Sequence, residues 1–185
     1  MKKYNKKDFP VAEIRRFLEP GPIVLVSAHY KGETNIMTMG WHTVLEFTPS
    51  LIGCMITAAN HSYSLIKNSG ECVINIPELH LAETVVGIGN CSGREVDKFK
   101  KFGLTAEASA AVKAPRVAEC YAHFECKLHD AQMLDKYNFF IFEVVKAQVA
   151  ISPKYPETIH YRGEGHFMVS GKAVSYRDKF LPQNL

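Results

Sequence analysis

Apolar residues come in short blocks along most of this chain, and Gly, Pro, Asn, Asp and Ser close nearly every block. That rhythm predicts strands more often than helices. Residues 23–29 read as a strand, followed by a turn at Lys31-Gly32-Glu33. Residues 35–47 read as an irregular strand ended by Thr48-Pro49-Ser50, and 51–59 as a nearly continuous apolar strand with both faces covered. A further strand runs over 72–76 and is closed by Pro77. Over 119–128 the alternation is clean: Cys120, Ala122, Phe124, Cys126 and Leu128 share one face, and Glu119, Tyr121, His123, Glu125 and Lys127 the other. Residues 139–151 form a long strand, with shorter ones at 158–162 and 166–171.

Helical spacing is confined to short stretches. Val11, Ile14, Phe17 and Leu18 predict a helix over 11–18 that stops at Pro20-Gly21-Pro22. Asn60-His61-Ser62 supplies N-cap residues for a helix over 63–68, with Gly70 at its end. Residues 80–88 are helical, and Ser92-Gly93-Arg94-Glu95 fits a capping box before a helix over 96–102 that Gly103 ends. About seven strands with short helices between them predict a mainly β chain, a closed antiparallel barrel. A parallel doubly wound sheet needs a helix after most strands, and the C-terminal half has almost none.

The segment Asn35-Ile36-Met37-Thr38-Met39-Gly40-Trp41-His42 breaks the pattern. A strand there should alternate, yet it mixes amide, thioether, hydroxyl, glycine and the only Trp. Glycine inside a strand marks a bulge or a close approach by a backbone or ligand. Such inconsistency is expected where function overrides folding rules.

Composition narrows the classes. The 185 residues fit one domain, read as 1–173 with a polar tail over Val174–Leu185. A net charge of +3, with scattered Lys and Arg, falls short of a nucleic-acid footprint. The lysines near the start (Lys2, Lys3, Lys6, Lys7) read as a solvated end. No apolar run is long enough to cross a membrane, and the first residues carry no signal core. Five Cys without a CxxC pair read as reduced, mostly buried thiols of a cytoplasmic protein.

Searches for side-chain chemistry narrow it further. Gly87-Ile88-Gly89-Asn90-Cys91-Ser92-Gly93 has the wrong spacing for a dinucleotide loop and follows a helix instead of a strand. In Cys120-x2-His123-x2-Cys126 the strand alternation turns His123 away from both thiols, so no metal site is expected. No serine sits in a Gly-x-Ser-x-Gly elbow. Anion binding is better supported, because a helix N-terminus offers free N–H groups and a favourable dipole end. Asn60-His61-Ser62 and Ser92-Gly93 are two such ends, with Lys98 in the second helix and Thr38 as a third hydroxyl.

Three segments together resemble the flavin reductase-like, FMN-binding split-barrel family, most closely its flavoredoxin branch. They are Asn35–His42, the stretch from Asn60-His61-Ser62 to Pro77, and Ser92-Gly93-Arg94-Glu95-Val96-Asp97-Lys98-Phe99 with Gly103-Leu104 after it. Their order and spacing match over about residues 10–172. The resemblance implies an antiparallel, Greek-key split barrel and a homodimer holding one FMN per subunit near the interface. It places Asn35, Met37, Thr38, Met39, Gly40 and Trp41 along the isoalloxazine and ribityl chain. Backbone N–H groups of Met37–Gly40 would reach the ring's polar edge. It places Thr38, Ser62 and Lys98 on the phosphate, with Asn60 and His61 beside them and Phe167 as a ring neighbour. The family often carries Arg where this chain has His61. No catalytic side chain is implied, since the chemistry lies at the flavin N5. The activity implied passes reducing equivalents from NAD(P)H, or from a reduced redox protein, through FMN to an acceptor. A non-enzymatic FMN-binding electron carrier, sensor or storage protein is the alternative.

Overall fold

The computed structural model describes residues 21–184, and for Asn184 only the backbone. The helix expected over 11–18 and the lysines at the start lie outside the described residues. Eleven strands appear: β1 (Val24–Tyr30), β2 (Glu33–Met39), β3 (His42–Glu46), β4 (Leu51–Met55), β5 (Glu71–Ile76), β6 (Ala106–Glu107), β7 (Arg116–Val117), β8 (Ala122–Asp130), β9 (Phe139–Val149), β10 (Ile159–Gly163) and β11 (His166–Val169). The α-helices are α1 (His61–Ser69), α2 (Ala82–Gly89), α3 (Lys98–Lys101) and α4 (Leu134–Tyr137).

Seven strands form one antiparallel sheet in the order β2-β1-β5-β8-β9-β4-β3, while β10–β11 and β6–β7 form separate pairs. The two edge strands, β2 and β3, are consecutive in the chain and joined only by Gly40 and Trp41. Edges of a flat seven-stranded sheet would stand about 29 Å apart, six spacings of about 4.8 Å. Three Cα steps from Met39 to His42 span at most about 11 Å. The sheet must therefore curl until its edges approach, a barrel split between β2 and β3. The expected strand over 35–47 breaks at this split.

Two apolar clusters meet at β1. Val24, Val26 and Ala28 face the barrel interior with Met37, Met39, Cys54, Cys72, Ile74, Cys126, Phe140 and Phe142. Leu25 faces outward, toward Ile36, Val85 and Ile88, Phe99 and Ile159. This second cluster seats α2, α3 and β10 on the outer face of β1 and β2. A strand buried on both faces reads as a continuous apolar run, as β1 does. Cys120 lies in the second cluster and Cys126 in the first, and four of the five thiols are buried.

Three expected details change. The alternation holds from Phe124 to Leu128, with Glu125 on the opposite face as expected, but that face is covered there and Glu125 is only 1% exposed. The loop that carries Ala110 and Ala111 covers it, and its carboxylate accepts their backbone N–H groups. The apolar run over 51–59 is strand only to Met55, because Ile56 leads into a turn. The helix expected over 96–102 is the short α3, capped by the Asp97 carboxylate accepting from Lys100 N at 3.1 Å. Ser92 instead closes a local turn, its hydroxyl accepting from Arg94 N.

Candidate functional site

β2 is an edge strand, so alternate backbone groups of β2 face the split and not β1. Its side chains divide between two compartments of one cleft. An apolar compartment of about 420 Å³ is walled by Ile23, Trp41, Val85, Tyr161 and Phe167, with Thr38 and Gly40 on the β2 side. A polar compartment of about 510 Å³ is lined by Asn35, Asn60, His61, Ser62, Gly93 and Lys98, among others. Gly89 and Asn90, at the end of α2, line both and join them.

The polar compartment is held open by buried groups. Asn35, 4% exposed, donates from Nδ2 to the Ser62 hydroxyl at 2.9 Å. Gly93 lies against that amide: a Cβ on Gly93 would overlap the Asn35 side-chain oxygen. α1 begins at this compartment with Asn60 at its N-cap, but the Asn60 side chain makes no capping bond. Gly70 ends α1 in the left-handed conformation, φ 68°, as its place in the sequence predicts. His61 bonds through Nε2 to Glu33 Oε1 at 2.5 Å.

Lys98 is the main charge of this compartment. It is only 6% exposed, and its ammonium donates to the Ile88 carbonyl at 2.9 Å. Among the described residues no carboxylate pairs with it. Burial pushes its pKa below the usual lysine value. A buried cation facing a polar cleft without a counter-ion is a site for an anion. Lys98 is the first residue of α3, not an interior residue of a helix over 96–102, because Asp97 and not Ser92 supplies the cap.

The structure gathers Asn35, Met37, Asn60, His61, Ser62 and Lys98 in the polar compartment, and Thr38, Gly40, Trp41 and Phe167 in the apolar one. It thereby separates Thr38 from Ser62 and Lys98, with which it was grouped. Thr38 alternates with Met37 and so faces α2, where its hydroxyl donates to the Val85 carbonyl at 2.6 Å. Met39 points into the barrel core and is 4% exposed, so only its backbone can serve the cleft. His42, beside the split, bonds from Nε2 to the Pro22 carbonyl at 2.7 Å. Tyr161 pairs with Phe167 at 5.1 Å between ring centroids, and nothing in the pattern of β10 marks it as a wall of the cleft. Gly89, Asn90 and Gly93 belong to the stretch whose glycines fail as a dinucleotide loop. Their clustering after a helix was the available signal.

Comparison with known proteins agrees with this architecture. The model of the flavin reductase like domain family matches residues 15–168. An uncharacterized protein of Archaeoglobus fulgidus is 34% identical over 111 residues, which cover 60% of this chain and 63% of that protein. The structure of an FMN-binding domain of a flavin reductases-like enzyme from Shewanella baltica superposes with a TM-score of 0.76 at 26% identity, covering 90% of this chain and 95% of that one. Flavoredoxin of Desulfovibrio vulgaris shares the fold with a TM-score of 0.77 at 24% identity, over 96% and 97% of the two chains. A match that spans most of the chain, from before β1 to within β11, makes this protein a member of the flavin reductase like domain family.

Proposed function

We propose that this chain binds FMN and acts as an oxidoreductase, passing reducing equivalents from NAD(P)H or a reduced carrier protein to an acceptor. The observation that carries this reading is the two-compartment cleft. FMN joins a flat, largely apolar ring system to a phosphate through a polar chain, and the cleft offers the matching surfaces in that order. Trp41, Tyr161 and Phe167 suit the ring, and Lys98, Ser62, His61 and Asn60 suit the phosphate. Gly89, Asn90 and Thr38 lie where the linking chain would pass. The fit rests on two features of this chain: a buried ammonium with no carboxylate partner among the described residues, and a glycine at 93 that leaves the Asn35 amide uncovered by a side chain.

When bound, the flavin supplies the redox chemistry, and the protein binds, orients and excludes water. Backbone N–H groups on the free edge of β2 would bond the polar edge of the ring and favour negative charge there. No acid–base dyad is needed for this.

A homodimer is part of the proposal. β3 is an edge strand whose apolar Val44 and Leu45 are exposed, followed by Phe47 at 85% and flanked by the half-exposed Trp41. An apolar edge of this kind is a surface for a partner, and a second copy there would lie beside the ring compartment. We place the reaction in the cytoplasm, with NAD(P)H or a reduced carrier protein as its donor; no helix among the described residues is long and apolar enough to cross a membrane.

The test is spectroscopic. Purified protein titrated with FMN should turn yellow and quench flavin fluorescence with one FMN per chain. NADH, then NADPH, is then added without oxygen. Bleaching within seconds by either supports the reductase, whereas bleaching only by a reduced carrier protein supports electron transfer alone. A protein that stays colourless and leaves FMN fluorescence untouched sinks the reading.

A further inference from the structure

His61 is the first residue of α1, and no acidic residue stands in the first turn of that helix. The carboxylate that meets it comes from another element: Glu33, at the start of β2, holds His61 Nε2 at 2.5 Å. His61 lines the polar compartment and Glu33 does not, which puts the carboxylate behind the imidazole. His61 is 13% exposed and Glu33 is 53% exposed at the side chain. A pair so open on one side adds little to folding stability. Its geometry does something else. A histidine has two distinct ring nitrogens, and the bond made by one decides what the other can do. With Nε2 held by Glu33, the nitrogen left to a ligand is Nδ1. It donates to an anion when the ring carries both protons, and the ring then stands between two negative groups. The other charged groups lining the compartment are Lys98, Lys101 and Glu95. Of these, Lys98 is tied to the Ile88 carbonyl.

We propose that Glu33 is a positioning residue which, through His61, makes this cleft select flavins ending in a phosphomonoester over flavins without one. The proposal rests on the reading that the flavin phosphate lies in the polar compartment. Glu33 touches neither ring nor phosphate. It fixes the imidazole at the mouth of α1, as a carboxylate behind a metal-bound histidine fixes that ligand.

The experiment compares FMN with riboflavin, which differ only in the phosphate. Dissociation constants for both are measured by flavin fluorescence with the full chain and with Glu33→Gln, His61→Asn and the double variant. In the unaltered protein FMN should bind more tightly. Glu33→Gln should weaken FMN by about tenfold, the low end of what losing the orienting partner costs a metal-bound histidine, and leave riboflavin unmoved. In the His61→Asn background, Glu33→Gln should add nothing. Equal weakening of both flavins would mark Glu33 as structural and overturn the proposal, as would an unchanged preference for FMN. If the unaltered protein binds FMN and riboflavin alike, the placement of the phosphate fails first, and the proposal with it.

Discussion

Lys98 shows how a single residue can be costly to the fold and useful to the site. Its ammonium is buried with one carbonyl and, among the described residues, no carboxylate, and burial lowers its pKa. The unfolded chain therefore binds a proton at Lys98 more readily than the folded chain does. Between the lowered folded value and the ordinary value near 10.4, stability should rise with pH. Below that window the full cost is present. Lys98→Met should raise the melting temperature of the flavin-free protein at neutral pH and remove this part of its slope with pH, as read by calorimetry from pH 7 to 10. The same variant should weaken FMN by about 1.5–3 kcal/mol, the range for hydrogen bonds to charged groups. A variant less stable than the parent, with FMN affinity kept, would show that the cation serves the fold and not a ligand. Gly93 makes a complementary case. Gly93→Ala sets a methyl group into the Asn35 amide, which is locked to Ser62. Overpacking of this sort costs about 1–3 kcal/mol, so denaturant midpoints should fall and FMN should bind more weakly. Gly171→Ala serves as the control for FMN affinity, since nothing lies within 4 Å of a Cβ there and the residue lines neither compartment.

At the level of elements, capping decides where the cation stands. Asp97 accepts from Lys100 N and starts α3 at Lys98. Asp97→Ala should lower stability by about 1 kcal/mol, the typical worth of an N-cap, and loosen FMN through Lys98. Asp97→Asn, a good cap without the charge, should restore both. Failure of Asn to rescue would show that the Asp97 charge matters in its own right. Local pattern pointed to the box from Ser92 to Glu95 instead. The choice belongs to packing: Phe99 must reach the second core while Lys98 turns into the cleft. β8 teaches the same lesson. Period-two alternation places Glu125 on the face away from the barrel interior, and there a loop covers it, with Ala110 and Ala111 offering N–H groups to its carboxylate. Residues 15 positions away in the chain carry no local signal of that bond.

For the whole molecule, the apolar residues of β3 and Phe47 predict association. Phe47→Asp should convert a dimer to a monomer in analytical ultracentrifugation and reduce FMN affinity if the partner covers the ring compartment. A parent chain that sediments as a monomer with FMN bound would refute the dimer. The sequence by itself determined the strand content, the antiparallel class and the positions of α1 and its Gly70 stop, because periodicity and turn chemistry are local properties. It also marked the residues from Asn35 to Trp41 as anomalous, since a strand that breaks its own alternation is visible without neighbours. Only the tertiary structure decided that the barrel is split at Gly40–Trp41, because strand order depends on which distant edges meet. Only it parted Thr38 from Ser62 and Lys98, although all three carry groups suited to phosphate. The reason is the alternation of β2 itself: adjacent residues face opposite sides, and what lies on each side is set by α1, α2 and β10, which come from three other parts of the chain.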